Sequence, residues 1–139
     1  MKRFFVIDWS LVFSFVLSAY SGIELHIAGH GTSHEVWHNW AVFHVLTSLT
    51  FLVFAVLHVQ GYWAWYKGWL KRGLGSKSRI TALLSIIFLL VTLTGIILLS
   101  VEGGNSSIGL WHYRIGLLVT FASIGHIAKR WSVLKKSLN

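Results

Sequence analysis

The chain has 139 residues, 55% of them hydrophobic and only 12% charged, with a mean hydropathy of +0.66. About a quarter of a soluble domain is charged, so this composition points to one integral membrane domain over residues 1–139. There is no cysteine, which excludes disulfides, thiolate metal sites and cofactors tethered through sulfur.

In chain order, four apolar stretches are long enough to cross a bilayer, which takes about 20 residues each. They cover residues 4–25, 41–66, 80–101 and 109–128, and proline is absent throughout. Backbone groups in lipid must bond internally, so each is expected to be a helix. The expected fold is all-α, a four-transmembrane-helix bundle. The first stretch has the basic start, apolar run and small residues (SAYSG) of a cleavable signal. The internal repeat described below needs it, however, so a retained helix is expected.

Net charge is +8, which raises the question of nucleic acid. The placement of the charges argues for membrane lipid instead. Lys2 and Arg3 precede the first stretch, Lys67, Lys71, Arg72, Lys77 and Arg79 lie between the second and third, and Lys129, Arg130, Lys135 and Lys136 follow the fourth. The two remaining connections carry no Lys or Arg, and Arg114 is the one cation near that side. The positive-inside rule then puts both termini of a multi-pass protein in the cytoplasm. Trp63, Trp65, Trp69, Trp111 and Trp131 fall at span ends, as an interfacial belt would.

The chain also repeats itself. Aligning His44 with His112 brings His58 onto His126 and Trp63 onto Trp131, and just upstream SAYSGIEL resembles TLTGIILL after a small shift. Each half reads as a helix with a glycine near its outer end, a polar loop, and a helix with paired histidines. This layout predicts two parallel two-helix hairpins related by an axis along the membrane normal.

The histidine spacing carries the chemistry. From His44 to His58, as from His112 to His126, a helix rises about 21 Å and returns to within roughly 40° of its starting face. His44 and His112 therefore share the outer depth, and His58 and His126 the inner. Ionisable groups inside a membrane mark function, and two imidazoles facing each other at one depth suit axial ligation of a haem iron. A flat macrocycle needs room, for which Gly22, Gly95, Gly116 and Gly125 are candidates. The bland reading is four separate core histidines bonded to helix carbonyls, which leaves the matched depth and spacing unexplained.

These paired helices resemble those of the di-haem cytochromes b, including the membrane subunit of quinol–cytochrome c reductases. The short layout is closer to small bacterial cytochromes b, among them a domain family of unknown function and the membrane subunits of formate dehydrogenases and nickel–iron hydrogenases. The resemblance covers nearly the whole chain. It implies two non-covalent b-type haems, the outer held by His44 and His112 and the inner by His58 and His126. It further implies transmembrane electron transfer between the quinone pool and a redox partner protein or subunit. Whether the chain is itself a quinol/quinone oxidoreductase or only an electron-transfer subunit stays open. The Pro-Glu-Trp-Tyr motif of quinol oxidation is absent, so any quinone site must be built differently.

Several residues keep alternative readings. His26, His30, His34 and His38 recur every four residues. They suit a metal ion, proton release from a quinol with Glu24 or Glu35 nearby, or an ordinary polar loop that meets haem propionates. Gly29 and Gly31 weaken any continuous helix there. Arg114 suits either a propionate of the outer haem or a lipid headgroup. Asp8 is expected as an N-cap or interfacial carboxylate, Glu102 as a solvated acid, and Phe43, Phe51 and Phe54 as packing. Two other functional classes compete with the cytochrome: a metal-ion or proton transporter using the histidines directly, and a non-redox membrane anchor.

Overall fold

In a computed structural model of the chain, residues 2–73, 75, 79–101 and 106–136 are described. Among them the protein is all-helical: α1 (Lys2–Gly29), α2 (His34–Gly61), α3 (Trp63–Arg72), α4 (Arg79–Leu98) and α5 (Ser107–Lys135). Lys77 and Glu102 lie outside the described residues.

The four expected stretches overlap α1, α2, α4 and α5, with different ends, and one of those differences changes the architecture. The second was expected to run on to residue 66. Instead α2 stops at Gly61, and a new helix begins after Tyr62, whose φ and ψ are −105° and 21°. Glycine is a weak helix former, and the sequence beyond it changes character. In α3, Trp63, Trp65, Tyr66, Trp69 and Leu70 fall on one arc, and Lys67, Lys71 and Arg72 on the other. That pattern belongs at a membrane surface, not through it. Gly73, at φ 76°, then ends α3 in a conformation closed to most other residues.

α1, α2 and α4 are long and apolar enough to cross a membrane. α5 has 29 residues, and Arg114, Lys129 and Arg130 make its composition more mixed. The starts of α2 and α5 are set in the same way: the Ser33 hydroxyl accepts from the Val36 N–H at 3.3 Å, and the Ser106 hydroxyl from the Gly109 N–H at 3.1 Å.

α1 packs on α2, α4 packs on α5, and α1 also meets α5. The two hairpins expected from the repeat are therefore both present. Small polar residues line the α1–α2 seam. Ser14, Ser21 and Thr47 are buried, and the Ser18 and Ser48 hydroxyls meet at 2.8 Å. Such residues let membrane helices approach closely and bond across the seam. Large apolar side chains face outward instead; Phe121 and Phe13 are 71% and 68% exposed. A surface of that kind would aggregate in water but costs nothing against lipid tails.

Ring contacts fix which ends lie together. At one end Trp9 of α1 meets Trp131 of α5, and Tyr66 of α3 hydrogen-bonds Ser85 of α4. At the other, Tyr20 meets Trp40 and His26 stacks on Tyr113. Lys67, Lys71, Arg72, Arg79, Lys129 and Arg130 therefore all belong to the Trp9–Trp131 end. Midway, Phe15, Phe51 and Phe88 form a layer across α1, α2 and α4, with ring centroids 5.8 and 5.5 Å apart.

Candidate functional site

Above that phenylalanine layer, the bundle encloses a cavity of about 350 Å³, walled by α1, α2, α4 and α5. Small-molecule and cofactor sites occupy roughly 300–1,000 Å³. Its wall includes His44, His112, Gly22, Gly95 and Gly116, all anticipated from the sequence. The His44 and His112 rings lie 6.2 Å apart, centroid to centroid, inclined at 71°.

Each imidazole is held by the helix before it in its own hairpin, and in the same way. Ser21 Oγ lies 3.1 Å from His44 Nδ1, and Thr94 Oγ1 lies 3.0 Å from His112 Nδ1. The next residue in each case is glycine. A Cβ on Gly22 would stand 3.0 Å from His44 Cε1, and one on Gly95 3.1 Å from His112 Cε1. So the hydroxyl orients the ring and the glycine makes space for it. Thr47 extends the first of these contacts, its hydroxyl 3.1 Å from Ser21 Oγ. With Nδ1 engaged, Nε2 is the nitrogen left for a ligand. The Ser48 hydroxyl approaches Nε2 of His44 only to 3.5 Å, beyond the usual hydrogen-bond range.

Two imidazoles sharing one metal ion need bonds of about 2 Å each. Adding about 1 Å from each ring nitrogen to its ring centre puts the centroids roughly 6 Å apart, which the observed spacing matches. Two rings at this spacing, Nδ1 partners that leave Nε2 available and a glycine beside each ring are what axial ligation of one metal centre by this pair would require.

In the lower layer His126 is within electrostatic range of His58, Asp8, Lys129 and Arg130. The described cavity does not extend to this layer, whose one close side-chain contact described is that of His58 with Asp8. One of the two expectations for Asp8 is corrected. α1 begins at Lys2, so Asp8 is no N-cap; its Oδ1 lies 2.7 Å from His58 Nδ1, with both side chains partly buried.

The remaining candidates scatter. A Cβ on Gly116 would stand 4.0 Å from a Val91 methyl, and one on Gly125 would meet nothing within 4 Å. Arg114 lies over the Trp111 ring, 5.5 Å from its centroid. The four outer histidines form no single stripe. α1 ends at Gly29, a turn follows, and Ser33 starts α2 afresh, so His26 closes one helix while His34 and His38 open another. His26 stacks on Tyr113 at 3.7 Å and on the cavity wall, and its carbonyl lies 2.9 Å from His30 Nδ1. Among the described residues no three His, Asp or Glu side chains converge as a metal site would require. Sequence reasoning missed Ser21, Thr94 and the Asp8 contact, although Ser-Gly and Thr-Gly stand at matching places in the repeat. Comparison with protein families, with characterised proteins and with solved structures returned no match, so the site is read from its own residues.

Proposed function

We propose that the chain is a di-haem cytochrome b that spans a bacterial cytoplasmic membrane four times, with both termini inside, and passes electrons across it. One observation carries the reading: the hydroxyl–glycine–histidine constellation occurs twice, as Ser21, Gly22 and His44 and as Thr94, Gly95 and His112, and its two imidazoles face each other at 6.2 Å. Separate core histidines would have no reason to repeat that support.

His44 and His112 hold the outer haem, and His58 and His126 the inner one. A bound haem supplies one-electron chemistry at its iron. The chain's own part is to fix the imidazoles, exclude water from the apolar middle and keep the two sites at different depths. The partners are the quinone pool and a redox protein or subunit. The clustering of basic residues at the Trp9–Trp131 end supports a cytoplasmic placement of that end.

The test is a dithionite-reduced minus oxidised spectrum of purified protein, with haem quantified per chain. A sharp b-type spectrum at close to two haems per chain is expected. Colourless protein after haem-sufficient expression would sink the reading and leave transport by the histidines as the leading alternative.

A further inference from the structure

α3 has no counterpart in the repeat. α2 ends at Gly61 and a separate helix follows, whereas α5 runs on through Trp131, the residue aligned with Trp63, to Lys135. None of the ten residues of α3 is buried, and Trp63 and Leu70 are 50% and 79% exposed. So much bare aromatic and aliphatic surface on one short helix calls for a cover.

The helix is divided lengthwise. At about 100° per residue, Trp65, Trp69, Tyr66, Leu70 and Trp63 follow one another around one side, and Lys67, Lys71 and Arg72 share the other. Arg72 sharpens the division, because its side chain folds back over Gly68 on the lysine side. A Cβ on Gly68 would stand 3.0 Å from Arg72 Nη2.

The depth of α3 is also fixed. It starts just past α2, which is long and apolar enough to cross a membrane. The Tyr66 and Ser85 hydroxyls meet at 2.9 Å. Ser85 follows Arg79, the start of α4, by a rise of about 9 Å, so the aromatic side of α3 is held against the end of another span. The cations, by contrast, find no anion within the protein. Asp8 is engaged by His58, while Glu24 and Glu35 belong to the opposite end, late in α1 and in the first turn of α2. Among the described residues no acid forms an ion pair with Lys67, Lys71 or Arg72.

We infer that α3 lies in the plane of the membrane and gathers anionic phospholipids, with its aromatic side at the boundary between headgroups and acyl chains and Lys67, Lys71 and Arg72 on the lipid phosphates. A layer of phosphodiester anions over hydrocarbon answers both sides of the helix at once. An acidic protein or a nucleic acid would match the cations and leave the aromatic side uncovered. The positive-inside rule accounts for cations in this connection, but does not require them to share one arc opposite the aromatics. Arg72 can hold a phosphate through two parallel N–H donors, and each lysine adds a compact charge. The inference goes beyond the electron-transfer reading and does not depend on what the cavity holds.

The test puts a fluorophore on Gly75→Cys, just past α3, in a full-length chain that has no other cysteine. The protein is reconstituted in nanodiscs with the same lipids on both faces, so its orientation does not affect the result. The quencher is a trace of phosphatidylglycerol or of phosphatidylcholine, each with a nitroxide on its acyl chain close to the headgroup. At low ionic strength phosphatidylglycerol is expected to quench several-fold more strongly, on a scale of roughly fivefold for each cation at a membrane surface. That preference is expected to fall toward one in Lys67→Gln/Lys71→Gln/Arg72→Gln. It is expected to survive in Arg79→Gln/Lys135→Gln/Lys136→Gln, which removes as many charges from the same end. Equal quenching by the two lipids without those changes, a preference that the α3 triple variant keeps, or the same loss in both triple variants would overturn the inference. So would a preference abolished by inorganic phosphate but not by sodium chloride of the same ionic strength, since that is a site for the free anion. Haem plays no part in the readout, so a failure here leaves the cytochrome reading untouched.

Discussion

Gly22 and Gly95 leave the two imidazoles room that any larger residue would narrow. Each stands where a Cβ would crowd an imidazole at about the closest approach real carbon atoms tolerate. Gly22→Ala and Gly95→Ala should each displace one ring and reduce haem content to about one per chain, as measured by pyridine haemochrome; two haems in both variants would show the glycines to be incidental. Ser21→Ala and Thr94→Val remove one hydroxyl each from a neighbouring imidazole. Interhelical hydrogen bonds in membranes average about 0.6 kcal/mol and reach ~1.7, so each variant should lower unfolding stability by an amount in that range while the His58–His126 layer keeps its spectrum. At this scale the sequence was half legible. Histidines announce themselves, because imidazoles are costly in an apolar span, and matched spacing assigns them to layers. Ser21, Thr94 and Asp8 do not, since serine and threonine satisfy themselves on the preceding turn, as Ser14 does with the Ser10 carbonyl, and only the packed partner helix reveals which of them turn to a ring. Asp8 looked like a terminus residue because spacing along one helix carries no information about what faces it from the next.

Hydrophobic length located α1, α2, α4 and α5 well, because lipid forces a continuous helix on any long apolar run. The same rule blurred their ends. It could not find the break at Tyr62, where an aromatic-rich sequence remains hydrophobic enough to read as continued span while its charges all gather on one side. Nor did a four-residue histidine period survive the turn after Gly29, since a period describes a helix only where the helix exists. The hairpin arrangement makes a plain expectation about sidedness. With no native cysteine, a single cysteine in place of Gly75, in the connection after α3, should react with a membrane-impermeant maleimide only in inverted vesicles. One in place of Gly31, between α1 and α2, should react only in intact spheroplasts. The reverse pattern, or labelling of both from one side, would refute the proposed orientation.

For the molecule as a whole, the di-haem proposal has each haem held jointly by both hairpins, one ligand from α2 and one from α5. Removing one ligand therefore should empty one layer and leave the other. His58→Ala is expected to retain a single b haem, and His112→Ala likewise, with the two residual spectra differing slightly in position. Loss of both haems from a folded chain, or of neither, would contradict the layered arrangement. The sequence made this architecture visible because repetition amplifies a weak signal, whereas the single Asp8–His58 contact has no counterpart to draw attention to it.

The phenylalanine layer has a further consequence for such a molecule. Phe15, Phe51 and Phe88 meet across the bundle between the two histidine depths, and phenyl rings neither donate nor accept a conventional hydrogen bond. Above them lie two hydroxyl pairs, Ser18 with Ser48 and Ser21 with Thr47, and neither continues onto the rings. Electron tunnelling needs no such chain of carriers. In the proposed cytochrome the layer would therefore part the hydroxyls of one depth from the groups of the other without standing in the way of an electron.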